Sequence, residues 1–151
     1  EHGSGFFQHG HTYIGHPVAT AAALAVVKAM LGRGLVQRCA EMGEKLQAAL
    51  EERFGQHPNV GDIRGRGLFR GVELVADRET KEPFDPALGL AKNIKKAAFQ
   101  AGLICYPMSG TRDGQNGDHI LLAPPFIITD AQITEVVDKL ETAITQCLSQ
   151  G

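Results

Sequence analysis

Three histidines, two glycines and a threonine crowd the stretch His9-Gly-His-Thr-Tyr-Ile-Gly-His-Pro17, which runs straight into an alanine-rich segment. Gly10 and Gly15 allow backbone conformations that other residues avoid. Pro17 suits the first turn of a helix, where its missing N–H costs nothing. Thr12 sits in the middle of this turn with a hydroxyl to donate. A hydroxyl beside exposed backbone N–H groups is how an anion site for a phosphate is built. The plainer reading is a turn-capping hydroxyl. His9, His11 and His16 stand two and five residues apart, a spacing that lets imidazoles converge on a metal ion. No cysteine is near, and no carboxylate after Glu1, to complete a site. Hydrogen bonding within the loop is the preferred role for the three histidines, and no metal is expected.

Two further groups carry guanidiniums. Arg64-Gly-Arg-Gly67-Leu68 leads into a strand pattern, not a helix, and its spacing is not the dinucleotide-binding fingerprint. A tight turn with surface arginines is preferred there, although an arginine could also bind a carboxylate. Arg112 lies in Gly110-Thr-Arg-Asp-Gly114. An arginine on a mobile glycine-rich loop can swing in to pair with a substrate carboxylate and away for an uncharged substrate; otherwise it is a solvated charge. Ser4, Ser109 and Ser149 lie outside any nucleophile elbow. None of the seven lysines falls at a strand end, where a desolvated Schiff-base lysine would sit.

The elements that must position these residues are readable from periodicity. Residues 1–16 read as a loop, with a short strand over 5–8. Residues 17–31 read as a buried helix, because Ala19, Ala21, Ala22, Ala23, Ala25 and Ala29 leave almost no polar face. After Gly32-Arg33-Gly34, apolar residues three and four apart predict a helix from Leu35 to Phe54, capped by Gly55. Strands are expected over 60–63 and 68–75, with a polar turn over 79–84. Asp85-Pro86 predicts a helix start, and Gly102 its end. A buried strand over 103–106, a loop over 109–117 and a strand over 119–123 follow. Thr129 and Gln132 form a capping box for the last helix, whose core face carries Ile133, Val136, Val137, Leu140, Ile144 and Leu148. The order is two helices, then β-β-α-β-β-α.

The 151 residues suffice for a real core, and 43% hydrophobic with 21% charged residues is ordinary for a globular protein. A formal net charge of −2 does not point to nucleic acid. No apolar run approaches the roughly 20 residues that span a bilayer. Cys39, Cys105 and Cys147 read as thiols of a reducing cytosol, not as a disulfide framework. The opening Glu1-His2-Gly3-Ser4-Gly5 has no initiator methionine and reads as the interior of a longer protein.

At His9-Gly-His-Thr-Tyr-Ile-Gly-His-Pro17 the chain resembles class III (subgroup II) aminotransferases, which use pyridoxal 5′-phosphate. The likeness continues through Arg64-Gly-Arg-Gly-Leu-Phe-Arg-Gly-Val-Glu-Leu74 and Gly117-Asp-His-Ile-Leu-Leu-Ala-Pro-Pro-Phe-Ile-Ile-Thr129, and leans to the ω-amino acid:pyruvate branch. It implies an α/β fold of fold type I, with residues 1–34 as the end of the large cofactor-binding domain and the start of the connecting helices. Residues 35–151 would be the small α+β C-terminal domain. It implies a cytoplasmic homodimer with active sites shared between subunits, acting on a small-molecule amino donor and a keto-acid acceptor, with no nucleic acid or membrane involved. Thr12 matches the family threonine that binds the cofactor phosphate of the neighbouring subunit.

The chain also departs from the family. The family's Schiff-base lysine and the aspartate that pairs with the pyridine nitrogen lie upstream of the His-Thr-Tyr motif, so the chain holds no catalytic residue and is expected to be inactive alone. Leu121 stands where many members carry an arginine for the substrate α-carboxylate. In the ω-branch a loop arginine just upstream takes that task, and Arg112 is the nearest candidate. Phe126 and Tyr106 could line a donor pocket or belong to the core. A decarboxylase or racemase relative shares the scaffold. The reading from another class is a non-catalytic α+β binding or oligomerisation module, in which the glycine turns are purely structural.

Overall fold

A computed structural model describes residues 3, 5, 6 and 9–149. They form two compact units that divide between Leu35 and Val36.

The first unit carries the histidine-rich turn and helix α1 (Pro17–Gly32). His16 caps α1: its Nδ1 accepts the Ala19 N–H at 3.3 Å, and its carbonyl accepts the Thr20 N–H at 2.9 Å. The expectation of a buried helix is corrected, because no residue of α1 is buried. Val18 (72% exposed) and Leu31 (75%) lie open. Of the strand expected over 5–8, Gly5 and Phe6 lie in bends; positions 7 and 8 lie outside the described residues.

The second unit holds α2 (Leu35–Phe54) except its first residue and continues with β1 (Val60–Arg66), β2 (Phe69–Leu74), α3 (Leu90–Gln100), β3 (Tyr106–Ser109), β4 (Asp118–Leu122) and α4 (Asp130–Leu148). The four strands form an antiparallel sheet in the order β1-β2-β4-β3. Met42, Leu46, Leu50 and Phe54 of α2, Ile94 and Ala98 of α3, and Ile133, Leu140 and Ile144 of α4 share one core with Val72, Leu74, Ile120 and Leu122 of the sheet. Strand alternation sends Phe69, Gly71, Glu73, His119 and Leu121 to the other face, which is exposed or half-buried. The capping box forms as expected: the Gln132 N–H donates to Thr129 Oγ1 at 3.3 Å, and the Thr129 N–H to Gln132 Oε1 at 3.0 Å.

Two expectations are displaced. Asp85 does cap a helical start, accepting the Ala87 N–H at 2.9 Å. That start is a separate 3-10 turn, Pro86–Leu88, ended by Gly89 at φ 57° before α3 begins. The strand expected over 103–106 begins instead at Tyr106. At the end of α3 the Leu103 N–H donates to the Ala98 carbonyl at 2.8 Å and the Gly102 N–H to Phe99 at 3.0 Å, with Gly102 at φ 79°. Leu103 is thus spent on closing the helix. Ile104 is 87% exposed. Pro107, which cannot donate to a ladder, is tolerated because β3 is an edge strand.

Candidate functional site

The Thr12 turn is two linked tight turns. The Ile14 N–H donates to the His11 carbonyl at 3.0 Å, and the His16 N–H donates to Tyr13 at 3.0 Å. Gly15, at φ 73°, lets the second turn follow the first. Thr12 is exposed. Among the described residues, neither its hydroxyl nor the backbone N–H groups of Thr12 and Tyr13 have a hydrogen-bond partner. No carboxylate lies between residues 9 and 16. The turn therefore offers three unspent donors and no opposing charge, which suits an oxygen-rich anion.

The histidines serve this turn. His16 caps α1, and its ring lies 5.7 Å from that of Tyr13. The His9 and His11 rings meet edge-on at 5.6 Å. Among the described residues no group of three His, Cys, Asp or Glu is placed to hold a metal ion.

Arg112 belongs to the second unit, on the loop from β3 to β4. Three backbone bonds close the loop. The Thr111 N–H donates to Gly117 at 3.2 Å, the Arg112 N–H to Asn116 at 2.9 Å, and the Gly114 N–H to Gly110 at 3.0 Å. Asp113 Oδ1 accepts the N–H groups of Gln115 (2.9 Å) and Asn116 (2.7 Å), and its Oδ2 accepts the Asn116 side-chain amide at 2.7 Å. Those bonds, from the Asn116 side chain first, and to a smaller degree the neighbouring Arg112 charge, hold the Asp113 carboxyl down to about 2. The loop expected to be mobile is therefore extensively cross-linked. Arg112 itself is exposed, and among the described residues its guanidinium has no hydrogen bond or ion pair.

The open face of the sheet carries a second group of residues. Arg64 is paired with Asp62 (2.8 Å) and Glu73 (2.6 Å), so it is a held surface arginine. His119 stands opposite Glu73 in the ladder, and Leu121 opposite Gly71 and Tyr106. Arg64, Gly65, Phe69, Gly71, His119 and Leu121 line a shallow hollow of roughly 250 Å³. Partial burial, and then the Arg64 charge, hold the His119 imidazole below its usual range. Tyr106 is 58% exposed and Phe126 37%, so neither is a core residue here.

Sequence reasoning missed Arg70. It is 4% exposed, on the core side of β2. Its guanidinium donates to the carbonyls of Gly43 (2.9 Å) and Gly65 (3.1 Å) and to the side chains of Gln47 (3.0 Å) and Glu44 (3.1 Å). Nε is buried without a partner. The signal was present: Leu68, Arg70, Val72 and Leu74 share one parity. Six of the seven lysines are exposed, and the half-buried Lys139 is paired with Glu135 at 2.6 Å. No helix among the described residues is long and apolar enough on its own to cross a membrane.

Comparison with known proteins gives this geometry a family. Residues 2–144 match the model of the class-III aminotransferases. An uncharacterized aminotransferase of Schizosaccharomyces pombe is 49% identical over 146 residues, which cover 97% of this chain and 31% of that protein. A taurine–pyruvate aminotransferase of Bilophila wadsworthia is 36% identical over 140 residues, covering 93% and 30%. A transaminase from the marine bacterium Virgibacillus has a similar solved structure, with a TM-score of 0.86 at 33% identity over 97% of this chain and 32% of that one. The chain thus spans about 30% of the length of the relatives it matches. On the match of residues 2–144 and of the fold, the chain belongs to the class-III aminotransferase family.

Proposed function

We propose that this chain is the C-terminal part of a pyridoxal-phosphate-dependent aminotransferase that passes an amino group from an amino acid or amine to a keto acid such as pyruvate. The observation that carries the reading is the Thr12 turn, with its unspent hydroxyl and two N–H groups, in a chain of this family. Those donors fit a phosphate dianion. The pyruvate acceptor is supported by the likeness to the taurine–pyruvate enzyme and by Leu121 standing where many members carry an arginine. In this reading residues 1–34 end the large domain and begin the connecting helices, and 35–151 form the small domain of a fold type I, cytoplasmic homodimer.

The cofactor, when bound, supplies the electron sink for amino-group transfer. The residues of this chain do the rest of the work assigned to it. Thr12 would hold the cofactor phosphate at the neighbouring subunit's site by donating a hydrogen bond from its hydroxyl. Arg112 pairs with the carboxylate of the keto acid and turns outward for an uncharged amine. The lysine that handles the proton at the substrate carbon is assigned to the remainder of the parent protein, as the family resemblance implies. A polypeptide of these residues alone is accordingly expected to be inactive.

The test is Thr12→Val in the full-length dimer. Losing one hydrogen bond to a charged oxygen, about 1.5–3 kcal/mol, should weaken cofactor affinity by tenfold or more. Unchanged cofactor affinity would remove Thr12 from the site.

A further inference from the structure

The loop that carries Arg112 contains a neighbour that ought to neutralise it. Asp113 is adjacent in sequence, and a free carboxylate there would compete with a substrate carboxylate for the guanidinium. The structure shows both Asp113 oxygens already engaged, Oδ1 by two backbone N–H groups and Oδ2 by the Asn116 side chain, so the Arg112 charge acts on that carboxylate only through space and forms no ion pair with it. Asn116 in turn accepts the Arg112 N–H through its carbonyl. Beneath them, a Cβ added to Gly117 would lie 3.0 Å from Thr111 Oγ1 and 3.1 Å from Arg112 N. One added to Gly110 would lie 2.8 Å from the Gly114 carbonyl oxygen. Hydrogen bonding and packing thus fix the same backbone independently.

We infer that Asp113 is the positioning residue for carboxylate recognition by Arg112, folding residues 113–116 into a pedestal that fixes the arginine backbone while leaving its guanidinium unpaired. This rests on the role proposed for Arg112 above. Movement between the two substrate classes then belongs to the Arg112 side chain, pivoting on a fixed Cα, and not to the loop. A fixed pivot lowers the ordering cost of each keto-acid encounter. Asp113 touches no substrate and acts only through its neighbour.

The experiment is a double-mutant cycle in the full-length holoenzyme, with KM and kcat measured separately for pyruvate and for an uncharged amine donor. Arg112→Ala should raise the pyruvate KM by roughly a hundredfold, as expected for removing a charged partner. Asp113→Ala should raise it roughly tenfold, with the amine KM and kcat within about twofold of the parent. Asp113→Asn keeps an acceptor for the two backbone N–H groups and should restore most of the loss. In the Arg112→Ala background, Asp113→Ala should add nothing. Should Asp113→Ala fail to fold, Asn116→Ala reads the same pedestal from its other side and should raise the pyruvate KM in the same way. An unchanged pyruvate KM in the pedestal variants, with the Arg112→Ala effect intact, overturns the positioning role alone. A pedestal effect of equal size with and without Arg112 also overturns it, because it marks a merely structural loop. No change on Arg112→Ala overturns the reading of Arg112 itself.

Discussion

Gly43, in the middle of α2, lies directly over Gly67, and a Cβ added at position 43 would collide with the Gly67 backbone carbon and oxygen. A glycine inside a helix costs roughly 0.5–1 kcal/mol against alanine. Here the missing side chain lets the helix touch the turn between β1 and β2, where Gly67 itself adopts φ 55°. Gly43→Ala should therefore destabilise the protein by about 1–3 kcal/mol despite its better helix propensity, read as a fall in the urea midpoint. A stabilised variant would mean that α2 and the turn do not meet in solution.

Arg70 fastens the same junction from within. Its four hydrogen bonds join α2 to β1, and the Glu44 partner is largely exposed. Arg70→Met keeps length and apolar bulk but removes all four of these hydrogen bonds. The expected loss is about 2–4 kcal/mol, seen in chemical denaturation. A loss below roughly 0.5 kcal/mol, the range of an ordinary surface change, would show that water replaces those bonds.

His119 makes stability depend on pH. Partial burial and the Arg64 charge hold its pKa below the unfolded value of 6.5, so the unfolded chain takes up the proton more readily. Stability should be complete above about 7.5 and should fall as pH drops through 6.5 towards the folded pKa. His57, also lowered chiefly by burial, acts in the same sense. His119→Gln should flatten part of that slope in unfolding curves collected between pH 7.5 and 5. An identical slope in the variant would place the titration elsewhere.

Features that are local in sequence were legible. The Thr129–Gln132 capping box and the break at Gly34 need only neighbouring residues, and the Thr12 turn was readable from Gly15, Pro17 and the motif around them. Misreadings arose where a distant partner decides. Leu103 looked like strand because its tie to Ala98 across the end of α3 is invisible to a two-residue pattern. Arg70 went unread because Gly43 and Gln47, which satisfy it, lie more than twenty positions away. Arg112 was singled out by type alone, and the rigidity of its loop resides in the bonds of Asp113 to Asn116, which composition reads merely as flexibility.

The central proposal is amino transfer to pyruvate by the parent protein, and it can be tested without knowing the amino donor. Transamination proceeds through two reversible halves, so an enzyme that uses pyruvate must exchange carbon label between pyruvate and alanine. The measurement is that exchange, followed with the full-length protein loaded with pyridoxal phosphate. The account predicts exchange in the parent enzyme and its strong reduction in Arg112→Ala. Fully loaded parent enzyme that exchanges no label between alanine and pyruvate would contradict it.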